Sequence, residues 1–175
     1  MAIDVEPAMT NGNDLIVYSV GHSNFQFDQL AKLLQKHSIQ VLVDVRSRPH
    51  SRWVPWTNQK NLTTAIPAIG IEYRWVGDHL GGLPDDPTYY QPNLKRKKKT
   101  DPPKVVDYAK VARQNWFQDA ISKLIEIASE HRTAIMCSEE DPKTCHRSQL
   151  VGETLSKRGI KVYHIRGSGE LEQQS

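Results

Sequence analysis

Hydrophobic positions recur along the chain in blocks whose period switches between two and about 3.6, which interleaves short strands with amphipathic helices. Residues 15–20 form an apolar, β-branched run and read as a buried strand. Phe27, Leu30, Ala31 and Leu34 follow at helical spacing, with Ser23 as the expected N-cap and Gln26 completing a capping box. Residues 41–45 are the second strand, residues 58–68 a short helix, and residues 71–76 a third, amphipathic strand. Residues 105–132 are mostly helical with a break near Asn115, and Phe117, Ile121, Leu124, Ile125 and Ala128 share one face of the second part. Residues 133–137 and 161–165 are the fourth and fifth strands. Between them, residues 145–158 form the fifth helix, closed by Gly159 just past its end.

Strands alternating with helices predict a single α/β domain of Rossmann-like, three-layer type, with a mainly parallel sheet of about five strands. Residues 14–166 form that domain, and the aperiodic polar segments 1–13 and 167–175 are expected to be flexible tails. Residues 83–104 carry Pro84, Pro87, Pro92, Pro102 and Pro103 and make a connection of unusual length. Within it, Lys95-Arg96-Lys97-Lys98-Lys99 is the densest basic run, either solvated surface or a phosphate contact.

At 175 residues, 38% hydrophobic and 25% charged, the chain suits one core. A net charge of +3 is too mild to establish a nucleic-acid partner without a local patch. No apolar run reaches the roughly 18 residues of a membrane span, and the first residues lack the basic start and apolar stretch of a signal peptide. No membrane is expected, and the predicted location is cytoplasmic. Cys137 and Cys145 are too few for a disulfide scaffold and are expected to be reduced.

Ligands of open α/β sheets bind beyond the carboxyl ends of the strands. Those positions hold His22 and Ser23 after the first strand, then Asp44, Arg46, Arg48, His50 and Arg52 around the end of the second. Asp78 and His79 follow the third, and the segment from Cys137 to Arg147 follows the fourth. The expectation is one cleft lined by all of them. Cys145, His146 and Arg147 fall in the first turn of the fifth helix, where unpaired N–H groups and the helix dipole favour an anion and stabilise a thiolate. Cys145 is therefore a candidate nucleophile, with His146 or His22 as its base. The alternative is that Cys145 packs inward while Arg147 braces the loop by pairing with Glu139 or Asp44. Cys137, ending a buried strand, reads as core. Asp44 and Arg46 share one face of an extended chain. They either hold each other or act as general base and anion clamp. Arg52, Trp53 and Trp56 suit phosphates and stacked bases, or else cover the core. His37, His131 and His164 read as structural.

Several templates are excluded. The cysteine-to-arginine spacing of a phosphatase loop lands on Lys143 from Cys137 and on Val151 from Cys145. Only Gly21 follows the first strand, so the dinucleotide fingerprint fails, and there is no P-loop. Cys137, Cys145, His146, His22 and Asp44 form a conceivable metal set. Their spacing matches no zinc finger or ribbon, so neither a metal nor a cofactor is expected.

The ordered pieces Gly21-His22-Ser23, Asp44-Val45-Arg46 with Pro49, Ser51 and Arg52, Tyr73 with Leu80-Gly81-Gly82, Met136-Cys137-Ser138-Glu139, Asp141-Pro142, Cys145-His146-Arg147 and Val162-Tyr163-His164-Ile165 resemble the family "domain of unknown function 488" over about residues 16–165. The family pattern often has Ala at the place of Ser138. The resemblance implies a Rossmann-like fold and groups His22, Asp44, Arg46, Arg52, Glu139, Cys145, His146 and Arg147 as one site; it supplies no activity. The leading expectation is an enzyme acting on a phosphorylated ligand, a nucleic acid or nucleotide. In it Asp44, Glu139 and His22 do acid–base work, with Cys145 and His146 beside them. Ser23, Arg46, Arg52, Trp53, His79 and Arg147 hold the ligand. The alternatives are a thiol-dependent small-molecule enzyme in which Cys145 reacts and Cys137 resolves, and a non-catalytic nucleic-acid-binding module using Trp53, Trp56 and the lysine run.

Overall fold

A computed structural model describes residues 14–91 and 105–175. The Lys95 to Lys99 run and the proline-rich stretch 92–104 lie outside the described residues, as do residues 1–13. The strands are β1 (Ile16–Gly21), β2 (Val41–Asp44), β3 (Glu72–Trp75), β4 (Thr133–Cys137), β5 (Lys161–Ile165) and β6 (Leu171–Gln173). The helices are α1 (Phe27–Lys36), α2 (Gln59–Ala68), α3 (Gly77–Leu80), α4 (Tyr108–Ala112), α5 (Asn115–Glu130) and α6 (Glu153–Lys157), the last continuing a π-helical segment Arg147–Gly152. No helix among the described residues is long and apolar enough to cross a membrane.

The strands make one sheet in the order β3-β2-β4-β1-β5-β6. All pairs are parallel except β5 with β6. The chain steps from β1 past one vacant place to β2, moves outward to β3, and returns through α4 and α5 to insert β4 between β1 and β2. That insertion decides where chemistry can occur. Gly21 pairs with Cys137 and Asp44 with Met136, so the ends of three strands lie side by side. Their loops continue the ladder: His22 N–H donates to Cys137 O, Ser23 N–H to Ser138 O and Val45 N–H to Met136 O.

Alternation along each strand divides the interior into two cores, one per face of the sheet. Val41 and Val43 of β2, Val45 just after it and Ile135 of β4 meet Phe117, Ile121 and Leu124 of α5 and Leu150, Val151 and Leu155 of the last helix. Leu42, Ala134 and Met136 face the other way, onto Leu30, Leu33 and Leu34 of α1 and Leu62 and Ile66 of α2. The near-continuous apolar strands follow from this two-sided burial, as parallel sheets require.

Two expectations are corrected. Ser23 does not cap α1: it sits at φ 48°, and the helix begins after Gln26 with no side-chain cap. The left-handed residue turns the chain away from the sheet edge before the helix can start. Residues 167–175 are not a loose tail, because Leu171–Gln173 pairs antiparallel with β5 and makes the strand count six. Gly169 at φ 83° supplies the turn. The Gln174 side-chain oxygen accepts from Ser148 Oγ at 2.8 Å and lies 2.8 Å from His164 Nε2. A polar strand of three residues has too few positions to show a period.

Ile135 is fully buried in the strand between β1 and β2. Ile135→Ala is expected to lower unfolding free energy by about 2–5 kcal/mol, read as a fall in the urea midpoint with an unchanged slope.

Candidate functional site

The polar strand-end residues do not line a single cleft. They form two clusters at the same edge, on opposite faces of the sheet, because side-chain direction alternates along the strands that deliver them. Asp44 has the parity of Leu42 and points to the α1/α2 side; Ser19 has the parity of Val17 and points to the α5/α6 side.

On the α1/α2 side the groups hold one another. Asp44 is completely buried and accepts from Arg46 Nε at 2.9 Å, Arg46 Nη2 at 2.6 Å, the Arg46 backbone N–H at 3.1 Å and the Tyr73 hydroxyl at 2.7 Å. Arg46 Nη2 also donates to Thr57 O at 2.7 Å, and Nη1 faces His22 Nε2 at 3.2 Å. Arg46 has only donors, so His22 Nε2 accepts and its proton sits on Nδ1, 2.7 Å from Ser23 O. Burial, aided by the Arg46 charge, pushes the His22 pKa down to about 4. Burial also raises the Tyr73 pKa, helped by the Asp44 carboxylate. Of the two readings of the Asp44–Arg46 pair, the structure has the one in which they hold each other. Little of Arg46 is left to grip an external anion.

On the α5/α6 side, Arg147 is the largest fully buried side chain. Its Nε donates to Ser19 Oγ at 2.9 Å, Nη1 to Glu139 O at 2.5 Å and Nη2 to Glu140 O at 2.8 Å. It braces the β4 loop through backbone carbonyls, not through the carboxylates of Glu139 or Asp44, and none of it is exposed at the surface. Ser19 in turn donates to His164 Nδ1 at 2.7 Å. The loop lies so close to β1 that a Cβ on Gly21 would stand 1.7 Å from Glu139 O. Glycine is therefore required there on contact grounds.

In front of that brace lie Cys137, Glu139, Cys145 and His146. Cys145 is 1% exposed and has extended backbone (φ −122°, ψ 142°), so it stands just before the helix as its cap. Its carbonyl accepts from Ser148 and Gln149, and its Sγ accepts the Arg147 N–H at 3.5 Å. The expected placement of Cys145 inside the first turn is thus shifted by one position, and the sulfur itself takes the anion place at the helix start. His146 Nε2 lies 2.9 Å from Val45 O, an acceptor, so that nitrogen carries the proton. Its Nδ1 then faces Cys137 Sγ at 3.5 Å and Cys145 Sγ at 4.0 Å. Cys137 Sγ is 3.3 Å from Glu139 Oε2. The Cys137 thiol hydrogen-bonded to Cys145, with His146 and Arg147 nearby, holds Cys145 well below the ordinary thiol range; the same contact with Cys145 raises Cys137. Burial raises Glu139, and the Cys145 sulfur adds to it. The two thiols therefore titrate as a coupled pair, in which Cys145 gives up its proton more readily than Cys137.

The remaining positions lie apart. Trp53 is 82% exposed with the Arg52 guanidinium 4.8 Å over its ring, and Arg48 is exposed beside them. Trp56 covers the core instead: it packs on Phe27 and His22 and donates to Phe25 O. His79 pairs with Asp78 at 3.0 Å and lines a cavity of about 390 Å³ with Trp75 and Trp116, which no member of the thiol cluster borders. Cys137 is part of the core, as expected, and its sulfur also belongs to the cluster. Tyr108 was missed altogether: burial, then the neighbouring sulfurs, pushes its pKa up to about 12. Its position in a short helix after a long loop carries no signal in the sequence.

Arg147→Met removes donors from three buried oxygens and is expected to cost about 3 kcal/mol or more in denaturant unfolding, whereas Arg52→Met at the exposed loop stays within about 0.5 kcal/mol. A second expectation concerns pH. The folded pKa of His22, about 4, lies below the unfolded value, about 6.5, so the unfolded chain binds a proton that the folded chain refuses. Stability therefore falls as pH drops from about 6.5 to 4, by roughly 3 kcal/mol at most. His164, also depressed by burial, adds in the same direction. Chemical denaturation of His22→Gln across this window should show a shallower pH slope than the parent chain.

No curated protein and no solved structure matches the sequence. A family model, Domain of unknown function DUF488, matches residues 26–153, a span that includes α1, β2, the β4 loop and all four members of the thiol cluster. The chain belongs to the family Domain of unknown function DUF488.

Proposed function

We propose that the protein is an enzyme whose reaction centre is the cluster of Cys137, Glu139, Cys145 and His146, and that its substrate is a nucleotide or nucleic acid. One observation carries this reading: an imidazole, oriented by the Val45 carbonyl, turns its Nδ1 on two sulfurs that have a carboxyl group beside them. A base held by a third group against a nucleophile or ligand is the arrangement that acid–base and nucleophilic sites share. Glu139 is the member of the four that reaches solvent, so it is the group placed to exchange protons with a substrate. Cys145 is buried at 1% exposure, which disfavours attack by its sulfur on a bound molecule without opening of the site.

The substrate class rests on a different feature. Arg46 and Arg147 are committed to internal partners, whereas Arg52 and Arg48, the latter 3.8 Å from Asp85, are exposed guanidinium groups in the loop that follows β2. With Trp53 beside them they pair a planar stacking surface with guanidinium groups, the combination that suits a base and its phosphate.

The test is turnover of mixed nucleotides and short oligonucleotides followed by mass spectrometry. Glu139→Gln is expected to lower kcat by about 10²–10⁴-fold. Trp53→Ala is expected to raise KM by about 5- to 150-fold, the loss of one stacked base, with kcat little changed. Turnover that survives Glu139→Gln unaltered would remove the cluster as reaction centre.

A further inference from the structure

We infer that Cys137 Sγ, Cys145 Sγ and His146 Nδ1 are three ligands of a tetrahedral site for a borderline-soft divalent cation of the zinc class, with the Glu139 carboxyl group beside the fourth position. The inference rests on the reading that this cluster is the working site, and it names what the cluster holds.

Geometry is the first support. The three donor atoms lie within 4.8 Å of one another and all three residues are buried. Metal–sulfur bonds of about 2.3 Å and metal–nitrogen bonds of about 2.0–2.1 Å make the sulfur-to-nitrogen edge of a tetrahedron about 3.6 Å. The two sulfurs stand 3.5 and 4.0 Å from Nδ1, on either side of that value.

The second support is the environment of the imidazole. A metal-binding histidine donates its other ring N–H to a carbonyl or carboxylate, which fixes the tautomer and aims the lone pair. His146 does this through Nε2 to Val45 O at 2.9 Å. Its ring is further seated by Gly82, where a Cβ would stand 2.6 Å from His146 Cγ. The other ring nitrogen, Nδ1, is thereby aimed at the two buried sulfurs.

Charge balance is the third. Two thiolates neutralise one divalent cation, so the buried donor set is close to neutral once the cation is bound. The donor set of two sulfurs and one imidazole selects the zinc class over magnesium or calcium, which take oxygen ligands. The chain spacing is unlike a zinc finger because the ligands come from a strand end and a helix start. The sheet joins them, not a short knuckle of sequence.

The experiment uses the full chain, purified without chelator, then stripped and titrated with cobalt(II). Elemental analysis is expected to find about one zinc per chain. The stripped chain should develop a thiolate-to-cobalt charge-transfer band and intense tetrahedral d–d bands that saturate at one equivalent. Cys145→Ser and His146→Gln should weaken cobalt binding by more than the about 10–100-fold that loss of an outer partner costs, whereas His79→Gln should leave it unchanged. A folded stripped chain that gives no thiolate band overturns the inference, and this measurement needs no variant to fold. Binding undiminished in both cluster variants would overturn it as well. Failure of the two proposals is separable. A missing thiolate band with turnover still lost in Glu139→Gln defeats only the metal. A normal cobalt spectrum with turnover indifferent to Glu139→Gln defeats only the enzyme reading.

Discussion

The carboxyl edge of this sheet depends on one buried guanidinium. Arg147 is wholly enclosed, yet no carboxylate among the described residues forms an ion pair with it; its partners are a serine hydroxyl and two backbone carbonyls. Removing such a charge from water is costly unless every donor is met and a compensating charge lies near. Carbonyls 139 and 140 meet that need, and in doing so the loop after β4 is pulled over β1 into the narrow space that Gly21 leaves. Cys145, whose sulfur accepts the Arg147 backbone N–H, sits at the helix start, and the Cys137 thiol, with His146 and Arg147 nearby, holds its pKa down. Loop and helix start are thus both tied to the same buried cation.

The sheet then separates two kinds of polar chemistry that the chain presents in nearly the same place. On the α1/α2 side, Asp44 with Arg46, Tyr73 and His22 is satisfied internally and resembles a structural lock on the end of β2. On the α5/α6 side, the donors of Cys137, Cys145 and His146 face one another more than they face the fold. Closed networks rigidify, whereas groups with capacity left over bind or react. Under the proposed reading, that difference gives the two faces their roles. The link between them is β2 itself: Asp44 anchors the first cluster, and the carbonyl of the next residue, Val45, orients the imidazole of the second.

Much of this architecture is legible in the chain alone, because it follows from local periods. The apolar runs that become β1, β2, β4 and β5, the break before α5 and the glycine after α6 each reflect interactions within a few residues, and alternation of strand and helix implies a parallel sheet. The rule that chemistry gathers at the carboxyl edge also needs only the order of elements. The three-residue β6 and the left-handed Ser23 escaped because neither has a repeating pattern to read.

What only the tertiary structure decided is which residues share a face and which are consumed. Sequence puts His22, Asp44, Arg46, Cys145, His146 and Arg147 at one edge, but the parity of each strand end relative to its neighbours is set by sheet register, which pairs Gly21 with Cys137 and Asp44 with Met136. A one-residue slip would exchange the faces. Likewise an arginine beside a cysteine reads as an anion grip until its donors are found on two carbonyls of the loop that leads into its own helix, and a core cysteine at a strand end gains a polar neighbour only when an imidazole from a helix start, nine residues along, comes within 3.5 Å of its sulfur. Periodicity reports contacts made with near neighbours; the role of a buried polar group is fixed by partners that only the packed sheet brings within bonding distance.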